Sequence, residues 1–386
     1  MVSARRRVLL VLVPAIVGVV AAAGYRWRVT RSDYRRAEAV RSLAAREWSR
    51  VEAAAAALEQ RGLTDDAHFY RGESARLRGR PTEALGHFNE IADTGELRVR
   101  AVLAAGLCQL ELRNLPEAER AFLFVLTELP DSAEAHRGLG VIAYDLGQMA
   151  LAVDHLRRVA ELEPADGKPL RLVGLIHKDM SQFEEADVAY REALARDLPE
   201  TVRNEVLLEA AETAVGRNRY GEALKFLDRA TAPESAASAV VQTESLRGLG
   251  RTKEAVAVLE RVIVRFPDSF ALQRLRGQSL LEDDRAAEAL PYLEAAMRLN
   301  PADEQSRYQA ALAYGKLGRT ADAARELRRV DELRADYLRL TELSRAAINR
   351  PDDVAVREQL AALCRTLNRI ELAVMWERAA DALRSR

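Results

Sequence analysis

The hydrophobic and polar positions of this chain form three successive patterns, and the first is an uninterrupted apolar run at residues 8–25. It follows a basic flank, residues 1–7, which contains three consecutive arginines. These eighteen residues would rise about 27 Å as an α-helix, close to the thickness of a membrane hydrocarbon core. The run therefore predicts a single transmembrane helix. A cleaved signal peptide is the alternative, because Ala21, Ala22 and Ala23 supply the small residues that a signal peptidase requires.

The second pattern is an amphipathic stripe within residues 30–62. No proline or glycine occurs between Ser32 and Gln60, and Gly62 is a suitable stop signal for a helix. The stripe predicts one linker helix over residues 30–62 that packs on the following domain, with a self-associating stalk as the alternative. Its apolar residues recur at steps of three and four, the spacing of one helix face; they are Val40, Ala44, Trp48, Val51, Ala55 and Leu58.

The third pattern is a repeat of about 34 residues that extends through the rest of the chain. Alanine marks it at positions 84, 118, 152, 186, 223, 255, 289, 323 and 373. Twelve residues before each alanine the residue is Gly or Ala in eight of nine cases, and four residues after it the residue is large and apolar in eight of nine. Proline ends four of the units twelve residues after the alanine. Because residues at three other positions recur with the same spacing, the repeat does not simply reflect a high alanine content.

Each unit predicts two helices, because its apolar steps of three and four give one stripe per helix. A glycine such as Gly79 or Gly147 interrupts the chain between the two helices, and the proline ends the second. We expect the small residue of the first helix to face the alanine of the second, which lets the helix axes approach closely. A single pair cannot bury both of its faces, so the units must stack into a solenoid.

Residues 133–166 form the clearest unit, whose diagnostic positions are Leu139, Gly140, Gly147, Ala152, Leu156 and Pro164. This unit resembles the tetratricopeptide repeat family, and it departs from the family at His136, where an aromatic residue is usual. The resemblance covers roughly residues 65–386 and implies an all-α, right-handed superhelical solenoid of stacked helix-turn-helix hairpins after the transmembrane helix. It places eight repeats at residues 65–337, an extra helix or linker at 338–353, and a ninth, degenerate repeat at 354–386.

Composition and motifs narrow the possible functions. Acidic and basic residues nearly cancel, at 59 against 58, so the chain lacks the overall positive charge typical of a nucleic-acid-binding protein. The repeats leave too little chain for a catalytic domain, and no phosphate loop, HExxH motif or nucleophile elbow occurs. We therefore predict a non-catalytic protein without a cofactor or a small-molecule substrate. The two cysteines, Cys108 and Cys364, are expected to be buried hydrophobes.

Histidines recur at the same two positions of different units. His68 and His87 lie in one unit, and His136 and His155 lie two units later. The two positions are expected to lie about one helical turn out of register across a hairpin, with no carboxylate or thiolate to complete a metal shell. We therefore expect packing or surface histidines rather than a metal site.

Some first-helix positions line the concave groove of tetratricopeptide repeat proteins, where extended peptides or partner helices bind. The resemblance places a basic set there, which consists of Arg137, Tyr144, Arg171 and Lys178. Its cations would pair with acidic groups of a peptide and Tyr144 would supply a flat anchor; alternatively, the cations pair with nearby carboxylates such as Asp145 and Asp179. A rival apolar set consists of Leu103, Leu107 and Leu110. Glu212 and Glu244 hold groove positions in later units.

Together these inferences predict a membrane-tethered scaffold or adaptor that binds a protein or peptide partner in its groove. The predicted location is a bacterial cytoplasmic membrane with a single pass. Six arginines at residues 26–41, against three before the apolar run, favour the cytoplasmic side for the solenoid, with the periplasm as the alternative. The alternative functions are an accessory or regulatory subunit of an envelope-associated enzyme or assembly complex, and a structural oligomer formed through the stalk helix.

Overall fold

The chain folds into stacked helices. The computed structural model describes residues 32–92 and 96–384. These ranges are mainly helical and contain no β-strand. The prediction of an all-α helical solenoid is therefore confirmed for this part of the chain. The described residues fall into two compact units, which divide between Gly138 and Leu139.

The described ranges contain twenty helices, which are distributed over the two units. The first unit holds the helical residues 32–44, called α1, then α2 (Trp48–Glu59), α3 (Thr64–Leu77), α4 (Pro81–Asn89), α5 (Glu96–Glu111), α6 (Leu115–Glu128) and the start of α7 (Ala133–Asp145). The second unit begins within α7 and continues with α8 (Met149–Leu162), α9 (Lys168–Asp179), α10 (Phe183–Leu194), α11 (Glu200–Gly216), α12 (Tyr220–Asp228), α13 (Ala236–Gly248), α14 (Thr252–Val262), α15 (Phe270–Glu282), α16 (Ala286–Leu299), α17 (Glu304–Lys316), α18 (Thr320–Asn349), α19 (Val354–Thr366) and α20 (Ile370–Arg384).

The described part of residues 30–62 forms two helices, so the prediction of one helix there is wrong. Arg46 adopts a φ of +56°. The amide of Glu47 donates to the carbonyl oxygen of Ser42 over 2.8 Å, which is the Schellman closure of a helix end. The turn carries no glycine, the residue that usually marks a left-handed position, and a non-glycine residue there costs roughly 1–2 kcal/mol. The sequence pattern therefore gave no sign of it.

The hairpin of α1 and α2 packs on α3. Val51 and Leu58 of α2 are buried in one cluster with Phe69 of α3. The guanidinium of Arg36 donates to both carboxylate oxygens of Asp66, over 2.8 and 2.9 Å. The α2 part of the predicted apolar stripe, with Val51 and Leu58, is thus used inside the first unit, whereas its α1 residues Val40 and Ala44 are exposed.

Glycines in the first helices make room for large side chains of the second helices. A Cβ added to Gly174 would lie 2.6 Å from Cε1 of Tyr190, whose side chain is fully buried. Gly277 meets Leu293 in the same way. In both pairs the large residue lies four positions past the recurring alanine. The small residue therefore makes room for the large side chain that follows the alanine. At Gly277 the added Cβ would also lie 3.3 Å from the carbonyl oxygen of Ala289, as expected for a small residue that faces the alanine.

Helix α18 continues without a break from Thr320 to Asn349. A separate helix at residues 338–353 was predicted and is wrong, because residues 338–349 extend the second helix of the eighth repeat. The helix ends before Pro351, as predicted, and no proline or glycine stops it earlier. Leu340 of the extension shares a buried cluster with Leu360 of α19. The last helical pair therefore packs on this extension.

The last helical pair also contacts the turn between α7 and α8, at the start of the second unit. Arg357 is only 1% exposed, and its Nη2 donates to the carbonyl oxygen of Leu146 over 3.3 Å. The ring of Trp376 lies so close to Gly147 that a Cβ there would overlap it. Tyr144 packs against the same cluster as Trp376. The second unit thus closes on itself through residues 211 positions apart.

The predicted basic flank, residues 1–7, and the predicted transmembrane helix, residues 8–25, lie outside the described residues. Within residues 32–92 and 96–384, no helix combines the length and the apolar character needed to cross a lipid bilayer. Even α18, with 30 residues, carries charged side chains along its whole length.

Candidate protein-binding groove

The first helices of the helical pairs form the inner face of the second unit. Helices α9, α11, α13, α15 and α17 contact one another in that order. The second helices instead contact their own first helix and the first helix of the following pair. Helices of the same kind that touch directly lie on the shorter, inner side of a curved array. The groove of the second unit is therefore lined by these first helices.

Cations on this inner face are paired with carboxylates of the following repeat. The guanidinium of Arg171 bonds to Glu205 and, over 2.7 Å, to Glu209. The ammonium of Lys178 donates to Glu212 over 2.7 Å. Burial raises the pKa of the Glu209 carboxyl, although Arg171 opposes this shift. Two cations of the predicted basic set are thus already neutralised, by glutamates of the next repeat.

The predicted basic set is divided between the two units. Arg137 lies on the part of α7 that belongs to the first unit, whereas Tyr144, Arg171 and Lys178 belong to the second. Tyr144 is half-buried against the cluster of the last helical pair, and this burial raises its pKa. Arg171 and Lys178 share one face of α9, while Tyr144 contributes to the closure of the unit.

The predicted apolar set lies on α5 of the first unit. Leu103, Leu107 and Leu110 are all half-buried, and their spacing of four and three residues places them on one face of the helix. The neighbouring Cys108 points into the core, where it is fully buried as a free thiol. Part of each leucine therefore remains open to solvent, and the set stays a predicted binding patch.

An open cavity of about 670 Å³ lies on the inner face of the second unit, across α11, α13 and α15. Its wall is largely apolar and includes Val215, Val240, Val241, Phe266 and Phe270. Apolar groups in a concave site provide most of the contact area when a ligand binds. This cavity is the strongest candidate for a binding site in the described part of the chain.

The charged groups of the cavity are mainly acidic. The carboxylates of Glu212, Glu244 and Asp268 line it, together with one guanidinium, that of Arg265. The first two glutamates occupy groove positions implied by the family resemblance, and the structure places both at the cavity. The site therefore combines an apolar wall with an acidic rim.

Several residues of the cavity were not found from the sequence. Phe266 belongs to the segment between α14 and α15, and Phe270 begins α15. Neither phenylalanine lies at a first-helix position that the family resemblance places in the groove. A signal was present, because Phe266 directly precedes Pro267, the proline that ends a repeat, and aromatic residues are only 5% of the chain.

The first histidine pair is closer than expected. The Nδ1 atoms of His68 and His87 lie 3.4 Å apart, which corrects the expectation that one helical turn separates them. Burial lowers the pKa of His87, and the charge of His68 adds to the shift. In the described ranges no group of three or more His, Cys, Asp or Glu side chains is arranged to hold a metal ion.

Stacked helical pairs with an open cavity on their inner face define a helical-repeat protein. The model of the tetratricopeptide repeat family matches residues 28–97, 103–167 and 243–304. These segments make up just over half of the sequence, and the chain belongs to the tetratricopeptide repeat family. Members of this family generally act as scaffolds for protein–protein interactions and are typically non-catalytic.

Solved structures are similar to this chain at low sequence identity. A tetratricopeptide repeat protein from Parabacteroides merdae is 15% identical and covers 64% of this chain and 98% of its own, with a TM-score of 0.42. The human IFIT1 dimer with PPP-AAAA is 14% identical and covers 90% of this chain and 89% of its own, with a TM-score of 0.41. This likeness concerns the fold alone. A comparison with curated proteins gives no match.

Proposed function

We propose that this protein is a membrane-tethered scaffold that binds a segment of a protein partner on the inner face of its second unit. The proposal rests on the open cavity across α11, α13 and α15. Its apolar wall would lose contact with water when a partner segment binds, which favours association. The membrane tether is the apolar run at residues 8–25, and its flanking arginines favour the cytoplasmic side of the membrane for the solenoid.

Filling the cavity should block partner binding. Ala237 lies on the cavity surface and is exposed, so Ala237→Trp occupies the site without entering the core. We expect at least tenfold weaker binding of the partner, since the large indole takes the place of the bound segment. The partner is first identified by mass spectrometry after capture on the detergent-solubilised full chain, and its affinity is then measured with both proteins purified.

The control is Ala287→Trp, which places the same side chain at an exposed position of α16 outside the cavity. Binding should be unchanged in this variant, and both variants should keep the helicity and melting temperature of the original chain. If the partner binds Ala237→Trp and the original chain with equal affinity, the cavity is not the binding site.

The basic set and the apolar set predicted from the sequence are the competing binding sites in this experiment. If the double variant Arg137→Glu, Arg171→Glu abolishes binding while Ala237→Trp does not, the basic set is the site. If only Leu107→Glu abolishes binding, the apolar set on α5 is the site. Arg171→Glu also places a third carboxylate beside Glu205 and Glu209, so its melting temperature must be compared before a loss of binding is interpreted.

The tether makes a separate prediction. The full chain should stay with membranes during a high-salt wash, and removal of residues 1–28 should release it. An apolar span resists salt, whereas attachment through surface charge alone is screened by it. A mature N-terminus near Gly24, found by N-terminal sequencing, would contradict the tether and favour a cleaved signal peptide.

A further inference from the structure

Three carboxylates and one guanidinium line the cavity on the inner face. Glu212 receives a hydrogen bond from Lys178 on Oε2, and Glu244 receives one from Arg274 on Oε1, over 2.8 Å. A carboxylate has lone pairs for more than one donor. Each glutamate therefore keeps a second oxygen available for a cation that enters the cavity.

The other two charged groups of the cavity reinforce this asymmetry. Asp268 is exposed, and within the described residues its side chain has no ion pair or hydrogen bond. Arg265 is the one basic group of the cavity, and its Nη1 lies 2.6 Å from Oε2 of Glu234, which does not line the cavity. Arg265 is thus paired with a residue outside the cavity, as Glu212 and Glu244 are, and within the described ranges the Asp268 carboxylate is the charged group of the cavity that has no such partner.

The span of the cavity across three helices sets the length of a bound segment. Three neighbouring helices with axes about 8–10 Å apart span about 16–20 Å, which an extended segment of five or six residues covers at about 3.3 Å per residue. An extended segment of this length can therefore contact α11, α13 and α15 together.

We propose that this cavity binds an extended segment of a protein partner in which a bulky apolar side chain is flanked by lysine or arginine. This inference rests on the proposed function and adds the chemistry of the partner to it. The apolar side chain lies against Val240 and Phe270, and the flanking cations pair with Glu212, Glu244 and Asp268. An acidic segment is repelled by the same three carboxylates.

Synthetic peptides test this chemistry directly on the detergent-solubilised full chain. The first probe carries Lys-Leu-Phe-Arg between Gly-Ser flanks. The second replaces both basic residues with Glu, and the third replaces Leu and Phe with Ser. The first should bind at least tenfold more tightly than either of the others, and its affinity should fall as salt is raised, because screening weakens contacts between exposed charges.

Variants of the acidic rim test whether the preference for the first peptide arises in this cavity. Asp268→Asn and Glu212→Gln should each lower the affinity for the first peptide by about two- to fivefold, because one exposed ion pair contributes a free energy of that size. The matched control is Asp283→Asn, which removes the same charge from an exposed turn outside the cavity, and it should leave the affinity unchanged. Helicity and melting temperature are compared in all three.

The outcomes separate this inference from the proposed function. Equal binding of the basic and acidic peptides, equal binding of the first and third peptides, or no response to Asp268→Asn would each overturn the chemistry proposed here. Lack of binding by every peptide would overturn it as well. The Ala237→Trp experiment with the intact partner decides independently whether the cavity is the binding site at all.

Discussion

Replacing Gly174 by alanine should destabilise the second unit, whereas the same change at Gly140 should stabilise it. The two glycines hold the same position in neighbouring repeats. A Cβ on Gly140 would make an ordinary contact, 3.4 Å from Cγ of Leu156, but a Cβ on Gly174 would lie 2.6 Å from the ring of Tyr190. Alanine is favoured over glycine inside a helix by about 0.5–1 kcal/mol, and overpacking of a core costs about 1–3 kcal/mol.

The difference between the two variants should therefore be roughly 2 kcal/mol, measured as the free energy of unfolding in urea. Combining Gly174→Ala with Tyr190→Leu provides the check, because the smaller side chain makes the packing resemble that of Gly140 and Leu156. The double variant should lose less stability than the two single changes added together. Equal effects of alanine at Gly140 and Gly174 would mean that the close approach to Tyr190 does not constrain the fold.

Replacing Gly147 by alanine should open the contact between the last helical pair and the start of the second unit. Gly147 has a φ of +69°, and a Cβ there would overlap the ring of Trp376. The matched control is Gly250, which has a φ of +75° and no atom within 4 Å of an added Cβ. Both turns use the same backbone hydrogen bonds, so the backbone strain, about 1–2 kcal/mol, is common to both variants.

The additional loss in Gly147→Ala should be about 1–3 kcal/mol, the usual cost of overpacking. The amides of α19 and α20 should also exchange their hydrogens faster in this variant than in Gly250→Ala, because the last pair loses part of its support. Indistinguishable stability and exchange in the two variants would show that the contact of Trp376 with Gly147 contributes nothing to the fold.

The repeat pattern predicted the helical pairs well because each depends on contacts within about 34 residues. It failed where the chain departs from the usual signals. Arg46 holds a turn that normally carries glycine, and nothing stops α18 at the end of the eighth repeat. The contact of Trp376 with Gly147 could not be predicted at all, since it depends on the curvature that accumulates over many repeats rather than on any local spacing.

The candidate site was predictable in part. Glu212 and Glu244 hold groove positions and line the cavity, whereas Phe266 and Phe270 lie outside those positions and were not predicted. The ion pairs of the predicted basic set had a visible signal, because Lys178 and Glu212 lie 34 residues apart. Residues at equal positions in consecutive repeats stack beside one another, so opposite charges at that spacing indicate a pair within the chain.

The closure of the second unit also changes how the repeats share stability. In an open array, stability is a sum of nearest-neighbour terms, and unfolding can spread inward from an end that has only one neighbour. Here the C-terminal pair, which would be such an end, has a second interface at Leu146 and Gly147. Fraying of that pair must break both interfaces, so we expect the last pair to unfold less readily than the free end of an open array.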